Sequence, residues 1–440
     1  MRTAHSTLLT LTLVLLAAPH GTAATPPPSA AVVSEQIQRL IEPQARADLF
    51  GGVILVQRGD RVVFQRGYGS ASWELRVANS EHTRFGIASI TKPMTEALVS
   101  VLAKQHRLDL RAPVEQYIPG FPRGPNGGKP TIEQLLKHTA GVPFRVTTAA
   151  EEMLPLHPAD IEERVKARGL LFEPGSQELY SSAGYTCLAR VIEVIDGRSF
   201  EDALAEYIFK PAQMISATSE TRPRLMLNRA LPYILGAGKG GPAVEAAPYK
   251  DLRFLAGAGS VYATPADLVA FVRKVRDGAF GEGLQSWAAA GDQDEWRGWY
   301  GRTDGYEASV DLLPSQDLVV AMVSNLQSGA NWQIRQRIHE LLVGRSVLAI
   351  PLPPARTANF EPSSDLVGLY GDRDDPVEIA VREGELCRDE DQIYPVAGDN
   401  YYEPVSSRTM RFHRQNGIVD SIVTTYGDGS ERILRKVAAP

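Results

Sequence analysis

Only two of the 440 residues are cysteine, Cys187 and Cys387, far apart and in different predicted domains. An oxidising compartment would permit a bridge between them, but two free, partly buried thiols are the expectation. Neither sign of charge dominates, since 46 Lys and Arg stand against 52 Asp and Glu, for a formal net charge of −6. Without a clustered basic surface there is no electrostatic footprint for nucleic acid. Beyond the N-terminal run, no apolar stretch is long enough to span a bilayer, so no membrane span is expected. No internal repeat is evident. No serine sits in a Gly-x-Ser-x-Gly elbow, which excludes that way of presenting a nucleophile. The glycine-rich loop at residues 236–241 lacks a Gly-Lys-Ser/Thr ending with a helix behind it, so it is not a phosphate loop.

What is present begins with an address. Met1-Arg-Thr-Ala-His precedes an apolar run from Leu8 to Ala18, followed by Pro19 and small residues to Ala24. This is the pattern of a secretory signal at residues 1–24. The mature chain is expected to be exported, to the periplasm or outside, and no cysteine follows the run to carry a lipid. Hydrophobic content of 43 % with 22 % charged residues is ordinary for a globular protein.

Along the chain, Ser34 to Ile41 has helical periodicity. Val53–Val56 and Arg61–Phe64 then read as a hairpin across a glycine turn. Met94, Leu98, Val101 and Leu102 recur at helical spacing, so Ser89 to His106 reads as one buried helix. Thr131-Ile-Glu-Gln134 has the form of a capping box, and helices are expected near Pro158–Arg168 and from Ser199 to about Phe209. A polar, tryptophan-containing stretch precedes two strands near Tyr306–Leu313 and Leu318–Ser324, and a helix at Trp332–Val343 closes the main domain. The expected organisation is a main domain at 25–350, a proline-rich linker at 351–364 and a small antiparallel β-rich domain at 365–440.

The chemistry is sought at Phe85-Gly-Ile-Ala-Ser89-Ile-Thr-Lys92, where a serine and a lysine three residues apart share one helix face. A hydroxyl at a helix start lies among unpaired N–H groups, and a buried amine with a depressed pKa can take its proton. Ser89 is therefore the candidate nucleophile and Lys92 the candidate base. Tyr180, on a loop after a Pro-Gly turn and ahead of another buried helix, is either a core tyrosine or a phenol aimed into a cleft. His138 is read as a capping or hydrogen-bonded structural residue rather than as a catalytic partner of Ser89.

These residues resemble the motifs of the penicillin-recognising serine hydrolases, in the branch of class C β-lactamases, carboxylesterases and D-aminopeptidases. The Ser89 segment is similar to the first motif, Thr131 through Gly141 to the leucine-rich His-Thr-Ser-Gly segment, and Pro174 through Tyr185 surrounds the second. The resemblance implies an α+β fold, a mixed sheet flanked by helices with a helical subdomain. It implies acyl transfer through Ser89, Lys92 and Tyr180 on a small ester, amide or short peptide, with no metal or organic cofactor. Two positions depart from the family pattern. Ser182 stands where the second motif usually has Asn, which weakens the case for amide substrates. The third motif is placed at Trp299-Tyr-Gly301, which makes the Arg302 N–H the partner of the Ser89 N–H in an oxyanion hole; the other placement is Arg302-Thr-Asp304. Trp299 carries no charge and would favour an uncharged ester, so a carboxylesterase-like activity is the expectation. A D-aminopeptidase, DD-peptidase or β-lactamase is the rival, and a catalytically silent sensor the third reading.

Overall fold

The computed structural model describes residues 30–437 apart from 220–224, 239–240, 290–294, 358–362, 372–375, 383, 390 and 427–428. The expected signal at 1–24 lies outside the described residues. Five antiparallel strands form the central sheet: β1 (Gly52–Arg58), β2 (Arg61–Tyr68), β3 (Arg297–Thr303), β4 (Tyr306–Leu313) and β5 (Leu318–Ser324), in the order β3-β4-β5-β1-β2. The chain thus brings its first and late strands side by side, with Val56 opposite Val320 and Leu55 opposite Ala321.

Strand β1 is central, and successive side chains leave opposite faces of a strand. Ile54 and Val56 pack with helix α1 (Ala30–Arg46) and helix α5 (Ala330–Leu342). Val53 and Leu55 join the larger core, which includes Met94 and Leu98 of α2 (Thr91–Lys104), Leu188 and Val191 of α3 (Ser182–Asp196), and Phe271 and Val272 of α4 (Pro265–Arg276). The run Val53–Val56 is apolar throughout because both of its faces are covered. The α2 helix is enclosed between the sheet and the helical subdomain around α3. Cys187 and Cys387 are both free and buried.

Three details differ from the sequence expectation. Ser89 precedes the α-helix, on a single 3₁₀ turn at Ala88–Ile90. The tryptophan-containing stretch contains β3, an edge strand whose glycines and arginines mask the usual strand pattern. Residues 236–238 and 241, read as loop, lie in the paired strands Tyr233–Gly238 and Gly241–Ala246.

The C-terminal segment is an eight-stranded antiparallel sheet in sequence order. It curls until Tyr370 pairs with Lys436 and the Val437 N–H reaches the Leu369 carbonyl, which closes it nearly to a barrel. Its interior is filled by side chains including Tyr370, Tyr401, Met410 and Phe412. Much of residues 351–357 is held rather than free: Arg356 binds Glu385 at 2.8 Å and the Thr357 N–H reaches the Pro395 carbonyl at 2.8 Å. The barrel docks on the main domain through Tyr394 and Tyr402 against Ala237, and through the Gly329 N–H to the Pro404 carbonyl. Among the described residues, no helix is long and apolar enough to cross a membrane.

Candidate active site

The 3₁₀ turn presents Ser89 at the base of a cavity, and Ala88 just before it is left-handed at φ +45°. A non-glycine residue there costs about 1–2 kcal/mol, so the surrounding packing must hold the turn. Lys92, one turn further on, is 5 % exposed, and its Nζ lies 3.2 Å from Ser89 Oγ, 3.5 Å from Ser182 Oγ and 3.0 Å from the Ala258 carbonyl. The Tyr180 hydroxyl donates to Ser89 Oγ at 2.8 Å.

Burial holds the Lys92 pKa at about 7. No carboxylate pairs with it in the described structure; its neighbours are hydroxyls, a carbonyl and the faces of Tyr180 and Tyr185. Near neutral pH, neutral amine is therefore well populated. Burial also raises the Tyr180 pKa, with the bond to Ser89 opposing it more weakly, so the phenol keeps its proton.

The lysine's burial has a testable cost. Its pKa falls on folding, so between about pH 7 and about pH 10 the unfolded chain binds the extra proton, and stability rises with pH across that window. Below it the full penalty applies, on the order of 5 kcal/mol for a shift from the free-lysine value. Lys92→Met is thus expected to melt at a higher temperature than wild type at about pH 6, with the gain shrinking toward about pH 10. Calorimetric melting across that range checks it, and a gain that grows with pH would contradict it.

His138 does not reach Ser89. Its Nδ1 accepts the Ser181 N–H at 3.0 Å, and its ring packs 4.6 Å from that of Tyr180. Burial first, and the nearby Lys92 charge second, hold its pKa at about 4, so it is neutral and braces Tyr180. The second motif is anchored by Ser181, whose hydroxyl accepts the Gly184 N–H at the start of α3 and donates to the Pro143 carbonyl.

Strand β3 passes directly over Ser89. A Cβ on Gly301 would meet Ile87 O at 2.2 Å and Ser89 N at 2.8 Å, so only glycine permits the approach. Thr303 and Tyr306 flank a two-residue turn and make the hydrogen-bonded pair next to it. Bonded and non-bonded pairs alternate along the ladder, so the Arg302 N–H points off the free edge of the sheet, beside the Ser89 turn.

The cavity measures about 600 Å³. Ser89, Tyr180, Ser182 and Arg302 line it, and Trp299 does not. The indole of Trp299 stacks on Trp287 at 3.8 Å and leans on Phe271. The sequence placement of Trp299 as a substrate contact is therefore corrected. Residues 299 and 302 lie on opposite faces of β3, and it is Arg302 that faces the cavity, together with Thr303 and Asp304 at the strand's end.

The opposite wall was not foreseen. Arg388, Asp389 and Asp391 come from the turn between barrel strands Glu385–Arg388 and Asp391–Ala397. Ser406 and Arg408 come from the next turn of the barrel at the same end, after Asn400–Glu403. The only sequence signal was the dense charge of Arg388-Asp-Glu-Asp391 between two strand-like runs.

The beta-lactamase family model matches residues 37–343, and the chain belongs to that family, whose members are serine hydrolases. PbpX of Bacillus subtilis (strain 168), named as a penicillin-binding protein, is 26 % identical over 315 residues, covering 67 % of this chain and 75 % of its own. Among solved structures, SurE has a TM-score of 0.61 at 22 % identity and is similar over 92 % of this chain and 99 % of its own. D-amino acid amidase from Ochrobactrum anthropi SV3 has a TM-score of 0.61 at 19 % identity, over 70 % of this chain and 98 % of its own. At these identities the two structures are likenesses of fold alone. The fold is α+β, of β-lactamase/DD-peptidase type, with an additional C-terminal antiparallel β domain.

Proposed function

We propose that this protein hydrolyses small acyl compounds through a covalent acyl-enzyme on Ser89. The observation that carries this is the convergence of Lys92 and Tyr180 on one serine hydroxyl, at 3.2 and 2.8 Å. Neutral Lys92 takes the Ser89 proton as Oγ bonds to the carbonyl carbon. The Ser89 and Arg302 N–H groups hold the oxyanion. The bond to the leaving group then breaks, the leaving group receives a proton relayed from Lys92 through the Tyr180 hydroxyl, and water releases the acyl group. Residues 1–24 act as the export signal for this enzyme, a reading supported by the apolar run and small-residue end of that segment.

The preference expected for an uncharged ester rested on Trp299, and with Arg302 in the cavity instead we favour a carboxylate-bearing amide or short peptide. Arginine stays protonated and can bind a carboxylate in bidentate fashion. Among the described residues it makes no ion pair, and Glu307 across the ladder, held at about pKa 7 by burial, offers only a partial counter-charge. Arg302→Ala is expected to lower kcat/KM for a D-alanyl peptide roughly tenfold to a hundredfold, the scale of one charge-assisted hydrogen bond. Turnover of a short-chain aryl ester should change little. Faster wild-type turnover of the ester than of the peptide, with no effect of Arg302→Ala on either, would restore the esterase reading.

A further inference from the structure

Charged groups crowd the cavity, and most are matched. Arg388 and Arg408 both lie against the fully buried Glu403, at 3.4 and 3.6 Å, and Asp389 lies 3.9 Å from Arg388. Asp304 binds Lys250 at 2.8 Å, and Arg145 binds Glu152 at 3.2 Å. Arg302 and Asp391 remain, one of each sign. Asp391 lies at the barrel turn on the cavity wall opposite Ser89, half-buried, and its carboxylate makes no hydrogen bond or ion pair among the described residues.

We propose that Asp391 binds a free ammonium group of the substrate, so that the barrel reads one end of a short peptide while Arg302 reads the other. This deepens the proposed function and rests on it. An ionised carboxylate taken partly out of water and left without a partner is costly, and a ligand cation relieves that cost. The surrounding charges do not already do so. Burial and the Glu403 charge raise the Asp391 pKa to about 6 against the opposing fields of Arg302, Arg388 and Arg408. Asp391 is therefore ionised at neutral pH and loses its charge as the pH falls through about 6. An ammonium partner would be expected to hold it ionised to lower pH.

The test uses full-length protein carrying Ser89→Ala, so that turnover does not interfere, with calorimetric binding of D-alanyl-D-alanine and L-alanyl-L-alanine and of their N-acetyl forms. Acetylation removes the ammonium and leaves the carboxylate. At about pH 7.5, at least one free dipeptide is expected to bind roughly tenfold or more tightly than its acetylated form, the scale of one charge-assisted contact. Adding Asp391→Asn should erase the difference without weakening the acetylated ligand, and the difference should shrink below about pH 6. Equal affinities, a difference that survives Asp391→Asn, or no binding of any of the four would overturn the assignment. Failure of the Ser89 reading would show separately, as wild-type protein that takes no serine-directed label.

Discussion

Lys92→Ala is expected to lower kcat/KM by roughly 10²- to 10⁴-fold, the usual cost of losing a positioned general base. The amine is the better base of the two groups that touch Ser89. Its pKa is held at about 7 by burial, so a large fraction is neutral at neutral pH, whereas the raised pKa of Tyr180 keeps the phenol protonated. Acylation should therefore rise with pH along a limb centred near 7 in the free enzyme, as Lys92 sheds its proton. His138, with a pKa of about 4, cannot produce that limb. Stopped-flow acylation across this range reads both effects. A limb unchanged in Lys92→Ala would move the base elsewhere.

Gly301→Ala should be nearly as damaging, although it adds a single methyl. The new Cβ would stand 2.2 Å from Ile87 O and 2.8 Å from Ser89 N, and both are backbone atoms with no side chain to swing aside. Either the edge strand retreats or the Ser89 turn moves, and each separates the Arg302 N–H from the Ser89 N–H. Loss of one such donor typically costs about 10²- to 10³-fold in kcat. Because β3 is an edge strand, the rest of the sheet can remain paired, so cooperative melting should persist and KM should change less than kcat. Wild-type kcat in a folded Gly301→Ala protein would remove β3 from the oxyanion hole.

The nearness of Ser89 and Lys92 was legible because one helical turn fixes it, whereas the Tyr180 loop left a core and a cleft position equally open, and only the resemblance to the family's second motif set it beside them. The 3₁₀ entry and the left-handed Ala88 were not, since tertiary packing sets that backbone against local preference. Trp299 shows a subtler failure. Periodicity gave no sign of strand β3 at Arg297–Thr303, alternation along it puts 299 and 302 on opposite faces, and only the stack on Trp287 reveals which face is filled. The barrel wall was beyond reach for another reason. Arg302 and Asp391 are brought to one cavity by the docking of two separately cored units, and no periodicity records a contact of that kind.

Covalent labelling tests most directly whether Ser89 is a nucleophile that carries an acyl group. Full-length protein would be treated with a fluorophosphonate at neutral pH, digested and mapped by mass spectrometry. One modified peptide containing Ser89 is expected, with no label in Ser89→Ala and slowed labelling in Lys92→Ala. Unlabelled wild-type protein that is otherwise folded, or label on a different serine that persists in Ser89→Ala, would contradict that role.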